Sequence, residues 1–314
     1  MGSRTRIRAG VVAAALAGVC ALLPSAAPAY TLPPANGQFD YQIGAPYTPV
    51  SAVRVVSRDR LATPASGKYN VCYVNAFQAQ TNDPGNPRIG DLAWFEANYP
   101  TLLLRGADGR YITDPDWNEV LLDTRTSTKR TTLIGILGAW FDRCKADGFD
   151  AIEPDNLDSW YRSDDPSTAR YAELLTQSNN VAVMRGMATE AHNATVGSDR
   201  SGLAIAQKNT GEVAPTLDAA GYDFAIAEEC QLYSGSSTTI RECDDFTSAY
   251  GSLVYEIEYT DNEPFYPGDD PDYPLGGTGF YADACRARGA SISVILRDRY
   301  VTPSGDPAYE YRAC

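Results

Sequence analysis

Histidine is almost absent from this chain: there is one in 314 residues, alongside three Met and 26 Lys+Arg against 40 Asp+Glu. A single imidazole excludes zinc sites built on two or three histidines, and so few methionines leave little for soft-metal or haem ligation. The formal charge of −14 argues against nucleic acid as a partner, because a phosphate backbone is held by clustered Lys and Arg. After the first thirty residues no apolar run approaches the ~20 residues of a membrane span. The chain also lacks a CxxC pair, a repeat of fixed period and any later low-complexity tract. No metal and no cofactor is expected, and the chemistry falls to carboxylates. What the chain has in quantity is apolar and aromatic surface, 44% hydrophobic residues with 20 Tyr and 9 Phe, enough for a large globular core.

The first 29 residues read as an export signal rather than as part of the fold. Arg4, Arg6 and Arg8 form a basic start, Val11 to Leu23 is apolar, and Ala27-Pro28-Ala29 is a small-x-small cleavage site. The remainder, 30–314, is expected to be one secreted domain, monomeric and free of the membrane. Cleavage removes three arginines and no acid, so the net charge of −14 becomes −17. It also removes Cys20 and leaves Cys72, Cys144, Cys230, Cys243, Cys285 and Cys314, an even set that suits three disulfides in an oxidising compartment. Cys230 and Cys243 close a short Ser/Gly-rich loop and are the best local pair.

After a Pro/Gly-rich lead from Leu32 to Pro49, eight short apolar or β-branched runs read as strands: Val53–Ser57, Tyr69–Asn75, Val120–Thr124, Phe149–Glu153, Leu203–Lys208, Phe224–Glu228, Leu253–Glu258 and Ile292–Leu296. Most are continuous rather than alternating, as in parallel strands buried on both faces. Between them, Thr131–Asp147 and Ala169–Asn193 have helical spacing. The α/β alternation and the length predict a single (β/α)8 TIM-type barrel, with a doubly wound open sheet as the alternative. Asp59–Lys68 is too short for a helix, and Leu102–Arg105 is a further strand-like run.

In such a barrel the active site lies at the C-terminal ends of the strands. The fourth run leads into Glu153-Pro154-Asp155-Asn156-Leu157-Asp158, the fifth ends Lys208-Asn209, the sixth ends Glu228-Glu229-Cys230 and the seventh Glu256-Ile257-Glu258-Tyr259. Two carboxylates facing each other across a cleft are what glycosidic cleavage needs, one as proton donor and one as nucleophile or base. Carboxylates at strand ends also serve as caps and ion-pair partners, so spacing alone does not decide.

Particular words go further. Val71-Cys72-Tyr73, Gly148-Phe149-Asp150-Ala151-Ile152-Glu153-Pro154-Asp155-Asn156-Leu157-Asp158, Ala191-His192, Gly202-Leu203, Lys208-Asn209, Asp223 to Cys230 and Glu258-Tyr259 follow one another in order. From about Val53 to Tyr259 the chain resembles the endo-α-1,4-polygalactosaminidases, glycoside hydrolase family 114. The resemblance implies a (β/α)8 barrel that cuts α-1,4-linked galactosamine polymers internally. It also implies that Asp155 of the EPDN word and Glu228 of the E-x-C word are the catalytic pair. Two segments depart from the pattern: Asn75 to Gln80 lacks the small Ser/Ala-Gly word, and the Asp261 to Gly277 loop is peculiar to this sequence.

The apolar strand before Glu228 casts it as the buried acid/base, and Asp155 as its ionised partner. Lys208 is the expected counter-ion. Asn156 and Asn209 are placed to bind sugar hydroxyls, and Glu153, Asp158 and Glu258 to bind hydroxyl or ammonium groups. Tyr73, Tyr259 and Trp160 are candidates to stack on sugar rings or, equally, to fill the core. The Asp261–Tyr273 segment is a candidate lid or a solvated loop. The surplus of acids fits a cationic galactosamine polymer as partner. The alternatives are a glycosidase acting on a neutral α-linked glycan, or a carbohydrate-binding barrel without activity.

Overall fold

A computed structural model of the chain describes residues 30–83, 85–168, 172–233, 242–262 and 279–314. The proposed signal segment, the Tyr233–Thr239 loop beyond Tyr233 and the Asp261–Tyr273 loop beyond Asn262 lie outside the described residues.

The strands are β1 (Phe39–Tyr41), β2 (Val55–Asp59), β3 (Tyr69–Asn75), β4 (Gln78–Ala79), β5 (Val120–Leu121), β6 (Ala151–Asp155), β7 (Ala204–Lys208), β8 (Phe224–Glu228), β9 (Val254–Tyr259), β10 (Ser293–Arg297) and β11 (Tyr311–Ala313). The helices are α1 (Leu92–Asn98), α2 (Ser127–Asp147), α3 (Gln177–His192), α4 (Ala214–Asp218), α5 (Cys230–Tyr233), α6 (Glu242–Tyr250) and α7 (Phe280–Arg288). Eight strands, β1-β2-β3-β6-β7-β8-β9-β10, are parallel and hydrogen-bonded in that order. β10 returns beside β1. The seam is held by Arg297, whose guanidinium meets Asp40 at 3.2 Å and the Tyr41 carbonyl. The added strand β11 runs antiparallel to β10, and its Tyr311 hydroxyl donates to the Phe39 carbonyl. The architecture is the expected TIM-type barrel.

The eight strands are not quite the expected eight. Val120–Thr124 lies outside the barrel, where β5 pairs antiparallel with β4. The missing member is β1, three residues in the Pro/Gly-rich lead, too short to show a period. The two differences cancel in the count, so the strand carrying Glu153 and Asp155 is still the fourth. No helix separates β1 from β2 or β2 from β3.

Two apolar layers follow from the period of two along each strand. Phe39, Tyr41, Val55, Val71, Ala151, Ala204, Ala206, Phe224, Ile226, Tyr255, Ile257 and Ile295 fill the lumen. Cys72, Val74, Ile152, Ile205, Ala225, Val254 and Val294 face outward against the helices. α2 starts at Thr126, whose side chain accepts from the Lys129 N–H, and stops at Gly148, left-handed at φ 94°. Gly202 (φ 73°) has the His192 carbonyl where a Cβ would stand, so only glycine lets the chain turn from α3 into β7.

Three disulfides staple these layers: Cys72–Cys144 joins β3 to α2, Cys230–Cys243 joins α5 to α6, and Cys285–Cys314 ties α7 to the end of the chain. The first closes 72 residues and the second 13. The logarithmic dependence of loop entropy makes removal of Cys72–Cys144 the costlier, by about 1.5 kcal/mol. Urea denaturation of the two Cys→Ala double variants checks this, and equal midpoints would contradict it.

Candidate active site

The lumen-facing residues at the C-terminal ends of the strands change from apolar to charged within one step. Below the rim stand Ala151, Ala206 and Ile226, and two residues further along the same faces stand Glu153, Lys208 and Glu228, with Asp155 beyond Glu153. The Lys208 ammonium is the hub, at 3.3 Å from Glu153 Oε1, 3.3 Å from Asp155 Oδ1 and 3.1 Å from Glu228 Oε2. It also donates to the Tyr41 hydroxyl at 2.8 Å. Burial works against its charge, but Asp155, Glu228 and Glu153 together hold its pKa above the ordinary lysine range. Lys208 is a permanent cation here.

The three acids are not equivalent. Glu153 is 0% exposed and is closed in by the hydroxyls of Tyr41 (3.1 Å) and Ser57, both donating to it. Burial pushes it up to about 7 against the pull of Lys208. Asp155 keeps 16% of its side chain exposed. Its Oδ2 accepts from the Tyr73 hydroxyl at 2.8 Å and its Oδ1 from the Asn156 N–H at 2.8 Å. Burial raises its pKa, yet Lys208, Tyr73 and Asn156 outweigh burial and hold it below the usual carboxylate range. Glu228 keeps 22% exposed; Asn209 Nδ2 donates to its Oε2 at 3.0 Å and the Tyr259 hydroxyl to its Oε1 at 2.5 Å. The buried acid is therefore Glu153, and Glu228 is open to the cleft. Burial and the adjacent carboxylates keep Tyr73 and Tyr259 protonated, so both act as fixed donors.

Other expected contacts fall elsewhere. Asn156 (φ 64°) turns the chain off the rim, with its Nδ2 donating to Asn75 Oδ1 and its Oδ1 accepting from Arg162. Asp158 is paired with Arg162 at 2.6 Å. Glu258 lies on the outer face of β9, because it alternates with the lumen residues Ile257 and Tyr259. There it accepts from the Gln231 N–H, and burial beside Glu256 raises its pKa well above the ordinary value. Trp160 is buried in the outer layer. Tyr41, Ser57, Asn75, Glu119 and Arg299 were not singled out in the sequence. Arg299 lies 4.2 Å from the Tyr259 ring centre and pairs with Glu229 and Asp261, bracing the wall behind Glu228. Among the described residues, the one grouping of metal-ligand types is Cys230, Cys243 and Glu256, whose two sulfurs are bonded to each other.

Two carboxylates clasping one lysine at the rim of a parallel eight-stranded barrel is an arrangement that can protonate one side of a sugar linkage and attack the other. A model of Glycoside-hydrolase family GH114 matches residues 21–314. The chain belongs to glycoside hydrolase family GH114. Among solved structures, this GH114 enzyme is similar in fold to Aspergillus fumigatus Ega3, crystallised in complex with galactosamine, with 20% identity and a TM-score of 0.58 over 91% of this chain and 99% of that chain. The glycoside hydrolase domain of PelA from Pseudomonas aeruginosa is also similar, at 15% identity and a TM-score of 0.46 over 86% of this chain and 96% of that one. No curated protein matches the sequence.

Proposed function

We propose that this GH114 enzyme is an exported monomer that cuts internal α-1,4 bonds of a cationic, galactosamine-containing polysaccharide, with Asp155 as nucleophile and Glu228 as acid/base. The observation that carries this reading is the Lys208 ammonium shared by the two acids at 3.3 and 3.1 Å. A cation, a hydroxyl and an N–H all aim at Asp155 and keep it ionised, as attack on an anomeric carbon requires. Glu228 stands across the lysine, more exposed, where it can pass a proton to the leaving oxygen and later take one from water. Because both touch one nitrogen, their nearest oxygens are separated by no more than those two distances laid end to end. A retaining pair holds its carboxyl groups ~5–5.5 Å apart and an inverting pair ~6.5–9.5 Å; two acids clasping one ammonium fit the closer spacing, and the reading includes retention of configuration.

The substrate class rests on the family words in the sequence, on the galactosamine held in the Ega3 crystal and on the charge of −14. Export is supported by the N-terminal segment and the three disulfides. No helix among the described residues is long and apolar enough to cross a membrane.

The test is reducing-end release from partly deacetylated α-1,4-galactosamine polymer, with fully acetylated polymer and starch as controls and the anomer of the first product followed by proton NMR. The expected result is mid-chain cleavage of the cationic polymer with α product formed first. Turnover of starch but not of the polycation would move the substrate to neutral glycans, and a β product would remove Asp155 as nucleophile.

A further inference from the structure

The turn that joins Thr113 to Val120 is built into the rim of the barrel, although it belongs to none of its strands. Thr113 and Val120 form a bridge, and the Asp114 N–H donates to the Glu119 carbonyl at 2.8 Å. The Asp114 carboxylate, itself buried, accepts from the Asp116 N–H and from Gln78 Nε2 at 2.8 Å each and pairs with Arg162 at 2.9 Å. The turn is thereby nailed to β4 and to the segment following β6. It presents Trp117, 53% exposed, at its tip and Glu119 at its base.

Glu119 reaches the cleft. Its Oε2 accepts from Asn75 Nδ2 at 2.6 Å, and Asn75 is the register partner of Asp155 on the neighbouring strand. The neighbouring rim acids each have a cation: Asp155, Glu153 and Glu228 share Lys208, while Asp114 and Asp158 share Arg162. Among the described residues none lies within ion-pair distance of Glu119. Burial accordingly pushes Glu119 up to about 7, Asn75 pulling the other way and the charges of Asp155 and Asp114 adding to the rise. Glu119 is thus a carboxylate held by a rigid turn that also carries an exposed indole, with no positive group paired to it among the described residues.

We propose that Glu119 and Trp117 form a subsite for one amino-sugar unit beside Asp155, the carboxylate taking the unit's ammonium and the indole face taking its C–H face. The ammonium would supply the positive charge that no described residue brings to Glu119, and the aromatic face suits a pyranose ring. The subsite adjoins Asp155 through Asn75, its partner on the neighbouring strand. This deepens the galactosamine reading and rests on it.

Calorimetric titration of a galactosamine oligomer and of its N-acetylated counterpart into the Asp155→Asn protein tests the subsite without turnover. Adding Glu119→Gln is expected to weaken binding of the cationic oligomer by about tenfold or more, the scale of a lost charge-assisted hydrogen bond, and to change the acetylated one far less. Adding Trp117→Ala is expected to weaken both, and Trp117→Phe to recover most of the loss. The acid limb of the affinity profile, where Glu119 takes up its proton, should flatten in the Glu119→Gln protein. Equal affinity for the cationic oligomer with and without Glu119→Gln would overturn the subsite. So would an equal loss for both oligomers, which would mark Glu119 as a support of the turn. Failure of the parent reading would show separately, as a wild-type enzyme that does not cut the cationic polymer.

Discussion

Asp155→Asn is expected to lower turnover by about a thousandfold or more while leaving the melting temperature within a few degrees of the wild type, and Glu228→Gln by about 10²–10⁴-fold. The fold should survive both changes because each amide has a place to go. In Asp155→Asn the carbonyl oxygen can keep the Lys208 ammonium and the Asn156 N–H, and the new amide group can donate to Tyr73, whose hydroxyl rotates to accept. In Glu228→Gln the oxygen stays with Lys208 and Asn209, and the amide group turns to Tyr259. What each variant loses is the reactive oxygen: an amide neither attacks an anomeric carbon nor donates a proton as a carboxylic acid does. Steady-state rates on the deacetylated polymer with parallel thermal melts check the pair. Activity within tenfold of wild type in either folded variant would remove that residue from the mechanism.

Lys208→Met should be the most destabilising single change in the site. It leaves Glu153, Asp155 and Glu228 facing one another around a buried position that is 1% exposed. Breaking a buried charge network from the cationic side costs about 3–5 kcal/mol at neutral pH. The loss has a sign in pH. In the wild type the lowered pKa of Asp155 contributes stability above its unfolded value, and that stability fades as pH falls through the folded value. Without Lys208 the pull that lowers Asp155 and restrains Glu153 is gone and burial raises both, so the penalty is small in acid, where they are protonated, and grows as pH rises. Urea unfolding of Lys208→Met and wild type at about pH 4.5 and about pH 8 should therefore show the larger gap at the higher pH. Adding Glu153→Gln should recover part of it, since one acid fewer then needs a counter-ion. A gap independent of pH would mean that Lys208 acts through packing alone.

Much of the barrel was legible because its signals are local. Seven of its eight strands fall on the short apolar or β-branched runs, and the caps of α2, Thr126 and Gly148, flank a stretch of helical spacing. β1 was not legible, because three residues cannot display a period and their neighbours are prolines and glycines. Val120–Thr124 misled for the complementary reason: a short apolar run looks the same whether it pairs parallel inside a barrel or antiparallel in a hairpin outside it. In the site, the alternation of β9 separates Tyr259, which faces Glu228, from Glu258, which faces the helices. That distinction was available from period two once Tyr259 was taken as the lumen residue.

The sequence by itself determined the fold class, the acids gathered at the strand ends and the family words that contain Asp155 and Glu228. Composition, apolar runs and contiguous motifs are properties of neighbours along the chain. Only the tertiary structure decided which acid is buried and which is open, because desolvation depends on what other segments bring. Glu153 is sealed by Tyr41, 112 residues away, and by Ser57, 96 residues away. The union of Asp155 and Glu228 on one ammonium likewise depends on three separate strands converging, as does the approach of Glu119 to Asp155 through Asn75. Barrel closure sets those distances, and no local pattern encodes them.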